Sequence, residues 1–333
     1  MTPTDGRPFN AFTVDVEDWI QSVYDVNLPL TDRFIRNTHR VLALLASCDV
    51  RATFFVLGLA AEKAPSLIRE IDRAGHEVQS HGYGHRLLTT LSPAQFRDDL
   101  ERSKRLLEDT VGKPIVGYRA PAFSIVRQTL WALDVLVDCG FRYDSSIFPI
   151  PMTRYGIKGS PWYPHRLRAP GGGEIVELPV ASWRVFGRRI PVGGGGYVRL
   201  FPSTLLRAGV RQLNHQGHAA VMYVHPYEFA TRELAELEVP IPLRMRLHQG
   251  LGRPGAARKI SRLLAEFRFG PVAQMLVDPK RLPLFSHTPS TTSVDWITSG
   301  GDRDRLRSSE SSTKETEAVA VGTSPSLSRS SSP

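Results

Sequence analysis

A repeated order of helix, turn and short apolar strand constrains the fold of this chain more than any other feature. The pattern predicts helices at 38–47, 66–74, 92–110 and 129–138, and strands at 11–19, 52–58, 76–80, 115–118, 141–143 and 219–224. Strands that alternate with helices form parallel βαβ units, and near-continuous apolar strands indicate a sheet covered on both faces. The sequence therefore predicts an α/β fold built on a mostly parallel sheet.

Polar residues follow these strands at the points where the strands end. They are Asp15, His81, Arg119, Asp144 and His225. Because the sites of such folds lie at the carboxyl ends of the strands, we expect these side chains to meet at one edge of the sheet.

Composition and charge exclude several classes of protein. Apolar residues make up 41% of the 333 residues and charged residues 23%, which excludes a collagen, a coiled coil or a fully disordered chain. The chain has only 2 cysteines, too few for a disulfide framework or a multi-cysteine zinc site. The net charge of +9 suits anionic surroundings, but no nucleic-acid-binding motif is present, so we expect no specific nucleic acid partner.

The same charge, with Arg244, Arg246 and Arg253, suggests a basic patch near a membrane or an anionic glycan, with a solvated face as the alternative. The N-terminal residues lack the pattern of a signal peptide, and no apolar run approaches the roughly 20 residues of a membrane helix. These observations predict a cytoplasmic location, with a peripheral position at the inner membrane as a variant.

Two histidines, His81 and His85, stand four residues apart, a spacing that lets both imidazoles reach one metal ion from a helix or from a bent loop. The first strand offers the carboxylates of Asp15, Glu17 and Asp18. Two imidazoles and one carboxylate leave a coordination position open, as in catalytic zinc sites, and so predict metal-assisted hydrolysis.

Hydrolysis of an amide or an ester also needs a base for the water and an acid for the leaving group. Asp15 is the candidate base and His225 the candidate acid. The planar guanidinium of Arg119 suits a carboxylate partner, and Asp144 is a candidate to orient an imidazole.

Five motifs in order resemble the polysaccharide deacetylases (NodB-homology, carbohydrate esterase 4), and more narrowly the branch linked to exopolysaccharide and exosortase loci. They are the segments at 13–18, 80–85, 117–121, 143–146 and 223–226. The resemblance implies a distorted (β/α)7-type barrel, a divalent metal that is usually zinc, and removal of acetyl groups from sugars.

Carried over by position, the resemblance makes Asp15 the base with Arg119 as its partner, His81 and His85 metal ligands, and His225 the acid tuned by Asp144. Much of the family has a second aspartate directly after the base, which this chain lacks. The metal-binding carboxylate is then Glu17 or Asp18, and strand alternation favours Glu17.

The resemblance also sets the predicted domains. Residues 1–8 form an N-terminal arm, 9–285 the catalytic domain with a family-specific extension at about 235–285, and 286–333 a disordered Ser-rich tail. Pro121, Tyr83 and Trp183 are the candidate substrate-binding residues, with Trp183 and Tyr197 flanking a glycine-rich loop. Ordinary packing is the alternative for those two aromatic side chains.

The predicted function is removal of acetyl groups from N-acetylated sugars of a bacterial exopolysaccharide or peptidoglycan-type glycan, in association with polysaccharide assembly machinery at a membrane surface. Two alternatives remain at this point: a ureide amidohydrolase of the allantoin type with the same fold, and a glycan-binding module without catalytic activity.

Overall fold

The computed structural model describes residues 8–237, 239–289 and 294–298. Its strands are β1 (Asn10–Val16), β2 (Thr53–Val56), β3 (Glu77–Ser80), β4 (Gly117–Tyr118), β5 (Tyr143–Asp144), β6 (His165–Arg168), β7 (Glu174–Glu177), β8 (Ser182–Val185), β9 (Arg188–Pro191), β10 (Val221–Val224), β11 (Phe269–Gly270), β12 (Leu284–Pro289) and β13 (Val294–Thr298). Its α-helices are α1 (Arg33–Ser47), α2 (Gly58–Lys63), α3 (Pro65–Arg73), α4 (Pro93–Val111), α5 (Ala132–Asp138), α6 (Gly196–Leu200), α7 (Ser203–His215), α8 (Leu243–Gly250), α9 (Arg253–Glu266) and α10 (Val272–Met275).

Seven parallel strands form the wall of a distorted barrel, in the order β10-β1-β2-β3-β4-β5-β7. Irregular backbone closes the wall between β7 and β10. The Ala181 N–H donates to the Val221 carbonyl at 2.9 Å, and the Tyr223 N–H donates to the Gly193 carbonyl at 2.6 Å. The predicted α/β fold with a distorted seven-stranded barrel is therefore confirmed.

The strands of the barrel are short and apolar because both of their faces are covered. Every residue of β1, β2 and β10 is buried. Glycine permits the close approach of β4 to β5, since a Cβ on Gly117 would lie 2.1 Å from the ring of Tyr143. Helix α4 begins where the sequence predicts, because Ser92 and Gln95 form a capping box at its first turn.

Beyond β7 the sheet contains both antiparallel and parallel pairs of strands. Strand β6 pairs antiparallel with β7, β12 lies parallel to β6, and β13 follows β12 in the sheet. The predicted boundary at residue 285 thus falls inside β12. Residues 1–7 of the predicted arm at 1–8 and most of the predicted tail at 286–333 lie outside the described residues.

The helices that the model describes include none with both the length and the apolar character needed to cross a bilayer.

Candidate active site

The polar residues that follow the strands converge at the carboxyl-end rim of the barrel. Asp15 lies near the end of β1 and Glu17 follows it, while His81 and Arg119 come directly after β3 and β4. His225 comes directly after β10, which is the neighbour of β1. The parallel register of these strands explains why residues far apart in sequence meet here.

Glu17 lies between the two histidines. Its Oε1 atom is 2.8 Å from Nε2 of His81 and 3.0 Å from Nε2 of His85, and all three side chains are buried. Burial alone would raise the pKa of Glu17, but His85 and His225 nearby, with the hydrogen bonds from the two imidazoles, hold it well below its usual range. The carboxylate is therefore kept charged at the centre of the cluster.

The loop after β3 brings the histidines together without a helix. The segment from His81 to His85 is a bent loop, with φ of 75° at Gly82 and 61° at His85. A positive φ at a residue other than glycine has a steric cost, and such strain is concentrated at functional sites. Of the two geometries compatible with the spacing, the structure shows the bent loop.

A hydrogen bond to a backbone carbonyl fixes the tautomer of His81. Its Nδ1 atom is 2.8 Å from the Arg119 carbonyl, which can only accept, so Nδ1 donates and a neutral ring directs the lone pair of Nε2 towards Glu17. An imidazole lone pair and a carboxylate oxygen 2.8 Å apart need a cation or a proton between them. This donor set fits a divalent metal ion, for which Glu17, His81 and His85 are the candidate ligands.

Asp15 is held by a fully buried arginine. Nη1 of Arg119 donates to Oδ1 of Asp15 and to Oγ1 of Thr13, both at 2.7 Å. Its other nitrogens donate to Ser145, from Nε to the carbonyl at 3.2 Å and from Nη2 to the hydroxyl at 2.8 Å. The guanidinium thus fixes the position of the Asp15 carboxylate, as the sequence predicts for the pair.

His225 lies near the other carboxylate oxygen of Glu17, with its Nε2 atom 3.9 Å from Oε2. Asp15, Glu17 and His225 form a second group whose ligand atoms all lie within 4.8 Å of one another. Burial alone would lower the pKa of His225, but the carboxylates of Glu17 and Glu228, with a smaller effect from Asp15, raise it to about 9. The ring is therefore positively charged at neutral pH.

The residue behind His225 is not the predicted one. Its Nδ1 atom is 3.6 Å from Oε2 of Glu228, which also accepts from the His225 backbone N–H at 3.0 Å. The other oxygen of Glu228 accepts from Nε of Arg199 at 3.1 Å. Glu228 stands three residues after His225 in a turn that Pro226 begins, and this capping spacing was a sequence signal for it.

The prediction that Asp144 tunes His225 is corrected by the structure. Asp144 accepts from the Ser146 hydroxyl and lies opposite Glu177, at the ends of the adjacent strands β5 and β7. Burial raises the pKa of Asp144 to about 6, and burial together with the charge of Asp144 raises the pKa of Glu177 well above its usual value. The two acids therefore form a buried pair in which the raised pKa values disfavour two negative charges side by side.

Asp18, one of the two predicted metal-binding carboxylates, lies away from the two histidines. Its carboxylate accepts from the backbone N–H groups of Ile20, at 3.3 Å, and Thr31. It thus stabilises the loop after β1, and the structure brings Glu17, not Asp18, to the histidines. Strand alternation, which favoured Glu17, explains the difference.

Two predicted substrate-binding side chains lie away from the centre. The hydroxyl of Tyr83 donates to Glu62 at 2.6 Å, and its ring lies under the guanidinium of Arg102 at 3.7 Å. Trp183 lies in β8 and packs beside Gly209 of α7. Ordinary packing, the alternative for Trp183, is what the structure shows. Pro121 is buried and begins the short turn after Arg119.

Two cavities lie along the carboxyl-end rim. One of about 250 Å³ is lined by His225, Tyr197 and the glycine-rich loop, and the other, of about 570 Å³, is lined by loops that follow β3, β4 and β5. Tyr155 lines both cavities, so they meet at its ring. The glycine-rich loop and Tyr197 thus line the smaller cavity, whereas Trp183 is not among the residues that line either cavity.

Residues 27–143 match the family model for polysaccharide deacetylase, and residues 145–277 match a domain of unknown function, DUF3473. The chain contains a polysaccharide deacetylase domain. The family resemblance of the motifs is confirmed. The first match includes His81, His85 and Arg119, but β1 with Asp15 and Glu17 precedes it, and His225 lies in the second match. The three-dimensional site is therefore assembled from three stretches of sequence.

Curated relatives are similar over part of their length. A peptidoglycan deacetylase-like protein of Gibberella zeae is 32% identical over 159 residues, covering 43% of this chain and 46% of the relative. The peptidoglycan deacetylase of Helicobacter pylori is 33% identical over 124 residues, covering 37% of this chain and 41% of the relative. The chain thus spans less than half the length of these two relatives.

Solved structures support the fold. A Mycobacterium smegmatis protein assigned to the polysaccharide deacetylases has a TM-score of 0.60 and 24% identity, covering 88% of this chain and 96% of that one. An allantoinase has a TM-score of 0.54 and 16% identity, covering 83% and 93%. At these identities the likeness concerns the barrel alone.

Proposed function

We propose that this protein hydrolyses the acetamide group of N-acetylated sugars in a bacterial polysaccharide, with a divalent metal ion, zinc, as its cofactor. The observation that carries the proposal is the cluster of Glu17, His81 and His85 at hydrogen-bonding distances, with Asp15 and His225 on its open side. An acid, a base and an incomplete ligand set within one rim are what amide hydrolysis requires.

A divalent metal bound by Glu17, His81 and His85 would supply positive charge that polarises the acetyl carbonyl. Asp15 accepts a proton from the water that attacks the carbonyl carbon, and Arg119 keeps the Asp15 carboxylate aimed at that water. His225, which its pKa of about 9 keeps protonated, donates a proton to the sugar nitrogen as the carbon–nitrogen bond breaks. Acetate and a free amino sugar are the products.

The two cavities support a substrate longer than one sugar. They meet at Tyr155, and together they extend from His225 across the loops after three successive strands. The larger one combines the aromatic rings of Trp131 and Tyr155 with the polar side chains of Thr89 and Gln128. Sugars present both apolar faces and hydroxyl groups, so such a lining suits neighbouring residues of a glycan chain.

The exopolysaccharide nature of the substrate, its N-acetyl linkage and action at the cytoplasmic face of the inner membrane are parts of this proposal. They rest on the resemblance of the motifs and on the basic character of the chain, which has a net charge of +9.

The test is mass spectrometry of acetylated oligosaccharides after incubation with the metal-loaded protein. We expect a loss of acetyl groups in the wild type, and loss of both metal content and activity in His81→Ala. His39→Ala is the matched control, since His39 is exposed on α1 and pairs with Glu70 on the protein surface. Glycan binding without acetate release, or turnover of ureides instead of sugars, would replace the proposal with one of the two alternatives.

A further inference from the structure

Helix α8 differs from the other long helices in having no buried residue. Leu243 and Leu247 on this helix and Leu251 just after it are 71%, 65% and 64% exposed. A spacing of four residues places these side chains along one face of the helix. Among the described leucines they are the most exposed, so the helix presents an apolar stripe to its surroundings.

The segment that carries this stripe has charges of one sign. Residues 243–265 contain no acidic residue, and their cationic residues are Arg244, Arg246, Arg253, Arg258, Lys259 and Arg262. The first two, next to the leucines, are exposed, and no described carboxylate forms an ion pair with either. A leucine stripe flanked by arginines is typical of helices that lie in the interface of an anionic membrane.

The leucine stripe lies next to the His225 cavity. His248 and Gln249 of α8 line that cavity, which also exposes Leu200 at its rim. Nη1 of Arg199 donates to the carbonyls of Gln249 at 3.0 Å and Leu251 at 2.8 Å. The same arginine contacts Glu228 behind His225, so the helix is fixed to the site while its leucines face outward.

We propose that the leucine stripe of α8 is a docking surface for anionic phospholipid. Leu243, Leu247 and Leu251 insert into the headgroup region, while Arg244 and Arg246 bind lipid phosphates. A lipid surface fits better than a second copy of this chain, because a two-fold contact would bring the same unpaired arginines of both copies together. This inference does not depend on the deacetylase activity, but docking would hold the His225 cavity close to the membrane.

The test is co-sedimentation with vesicles of phosphatidylcholine alone or mixed with phosphatidylglycerol. We expect binding only to the anionic vesicles, weakening with added salt. The double variant Leu243→Ser/Leu247→Ser should bind these vesicles at least about tenfold more weakly than the wild type does. The same loss is expected for Arg244→Gln/Arg246→Gln. Phe186→Ser is the matched control, because Phe186 is a fully exposed apolar residue in the turn between β8 and β9.

Activity on a soluble oligosaccharide and the melting temperature should not change in either double variant, which separates this inference from the proposed function. Equal binding of the leucine variant and the control, or no binding of the wild type to anionic vesicles, would overturn it. A wild-type dimer in light scattering that the leucine variant dissociates would show that a second copy covers the stripe instead.

Discussion

Residues 10–144 and residues 145–277 contribute to the site by different means. In the first region, short regular strands deliver Glu17, His81 and Arg119 to one rim, and hydrogen bonds within the rim fix them. In the second region, His225 depends on side chains behind it: Glu228 contacts the imidazole, and Arg199 ties Glu228 to the segment after α8. The side with the candidate metal ligands is thus set by strand register, whereas the His225 side is set by long-range hydrogen bonds.

The comparison between the two regions predicts the largest loss of activity for a substitution of Asp15, the proposed base. Asp15→Asn should lower kcat by about 10³-fold, within the range for loss of a general base, while metal content stays at the wild-type level. Acetate release and elemental analysis measure the two quantities. Metal loss in Asp15→Asn would mean that this side chain belongs to the ligand set, and retained turnover would remove it as the base.

A smaller effect is expected at the residue behind the acid. Glu228→Gln removes a negative charge that raises the pKa of His225, so that pKa should fall from about 9. Because His225 acts while protonated, activity is lost as pH rises through this pKa, and in the variant the loss should begin at lower pH. We expect kcat at neutral pH to fall about tenfold.

The pH profile of kcat for the wild type and Glu228→Gln checks this expectation. An equal fall at all pH values would indicate a purely structural role for Glu228 and would weaken the contrast between the two regions. Glu236→Gln is a suitable control, since Glu236 is a surface carboxylate paired with Arg36.

A third effect concerns stability. The pKa of Asp144, about 6 in the folded protein, lies above its ordinary value near 3.8, so the folded state binds more protons between these values. Stability from this group is then complete below about pH 4 and is lost as pH rises through about 6. Asp144→Asn should melt a few degrees higher than the wild type at pH 7, with a smaller difference at pH 4.

Thermal melts across this pH range measure the difference, with Asp138→Asn as a surface control. A lower melting temperature of Asp144→Asn at pH 7 would show that the Asp144–Glu177 pair is charged and stabilising.

The smallest effect is expected at a residue that the sequence placed in the substrate site. Tyr83→Phe removes a hydroxyl that donates to Glu62 on the outside of the barrel, so kcat/KM for an oligosaccharide should stay within about twofold. A large rise in KM would show that Tyr83 contacts the substrate, which would contradict its observed position.

The first region could be predicted from sequence because its signals are local. The apolar run that begins at Thr53, the cap at Ser92 and the two histidines each fix an element or a candidate ligand over a few residues. Parallel strands then bring Asp15 and Arg119 together without further information, and this pair was expected.

The second region resisted prediction because its contacts join segments distant in sequence. Glu177 meets Asp144 only through the pairing of β5 with β7, and Arg199 meets Glu228 only through tertiary packing. Trp183 stands near the glycine-rich loop in sequence, yet its strand turns it towards α7. Proximity in sequence was a poor guide wherever hairpins and irregular loops intervene.

Strand β1 lies between β10 and β2 in the barrel wall, yet it precedes residue 27, where the family match begins. A shortened chain that began at residue 27 would keep both histidines and His225. It would nevertheless have a gap in the middle of the wall, and it would lack both Asp15 and the Glu17 carboxylate that the two imidazoles contact. The part of the sequence that the family model matches is therefore smaller than the part needed to assemble the proposed site.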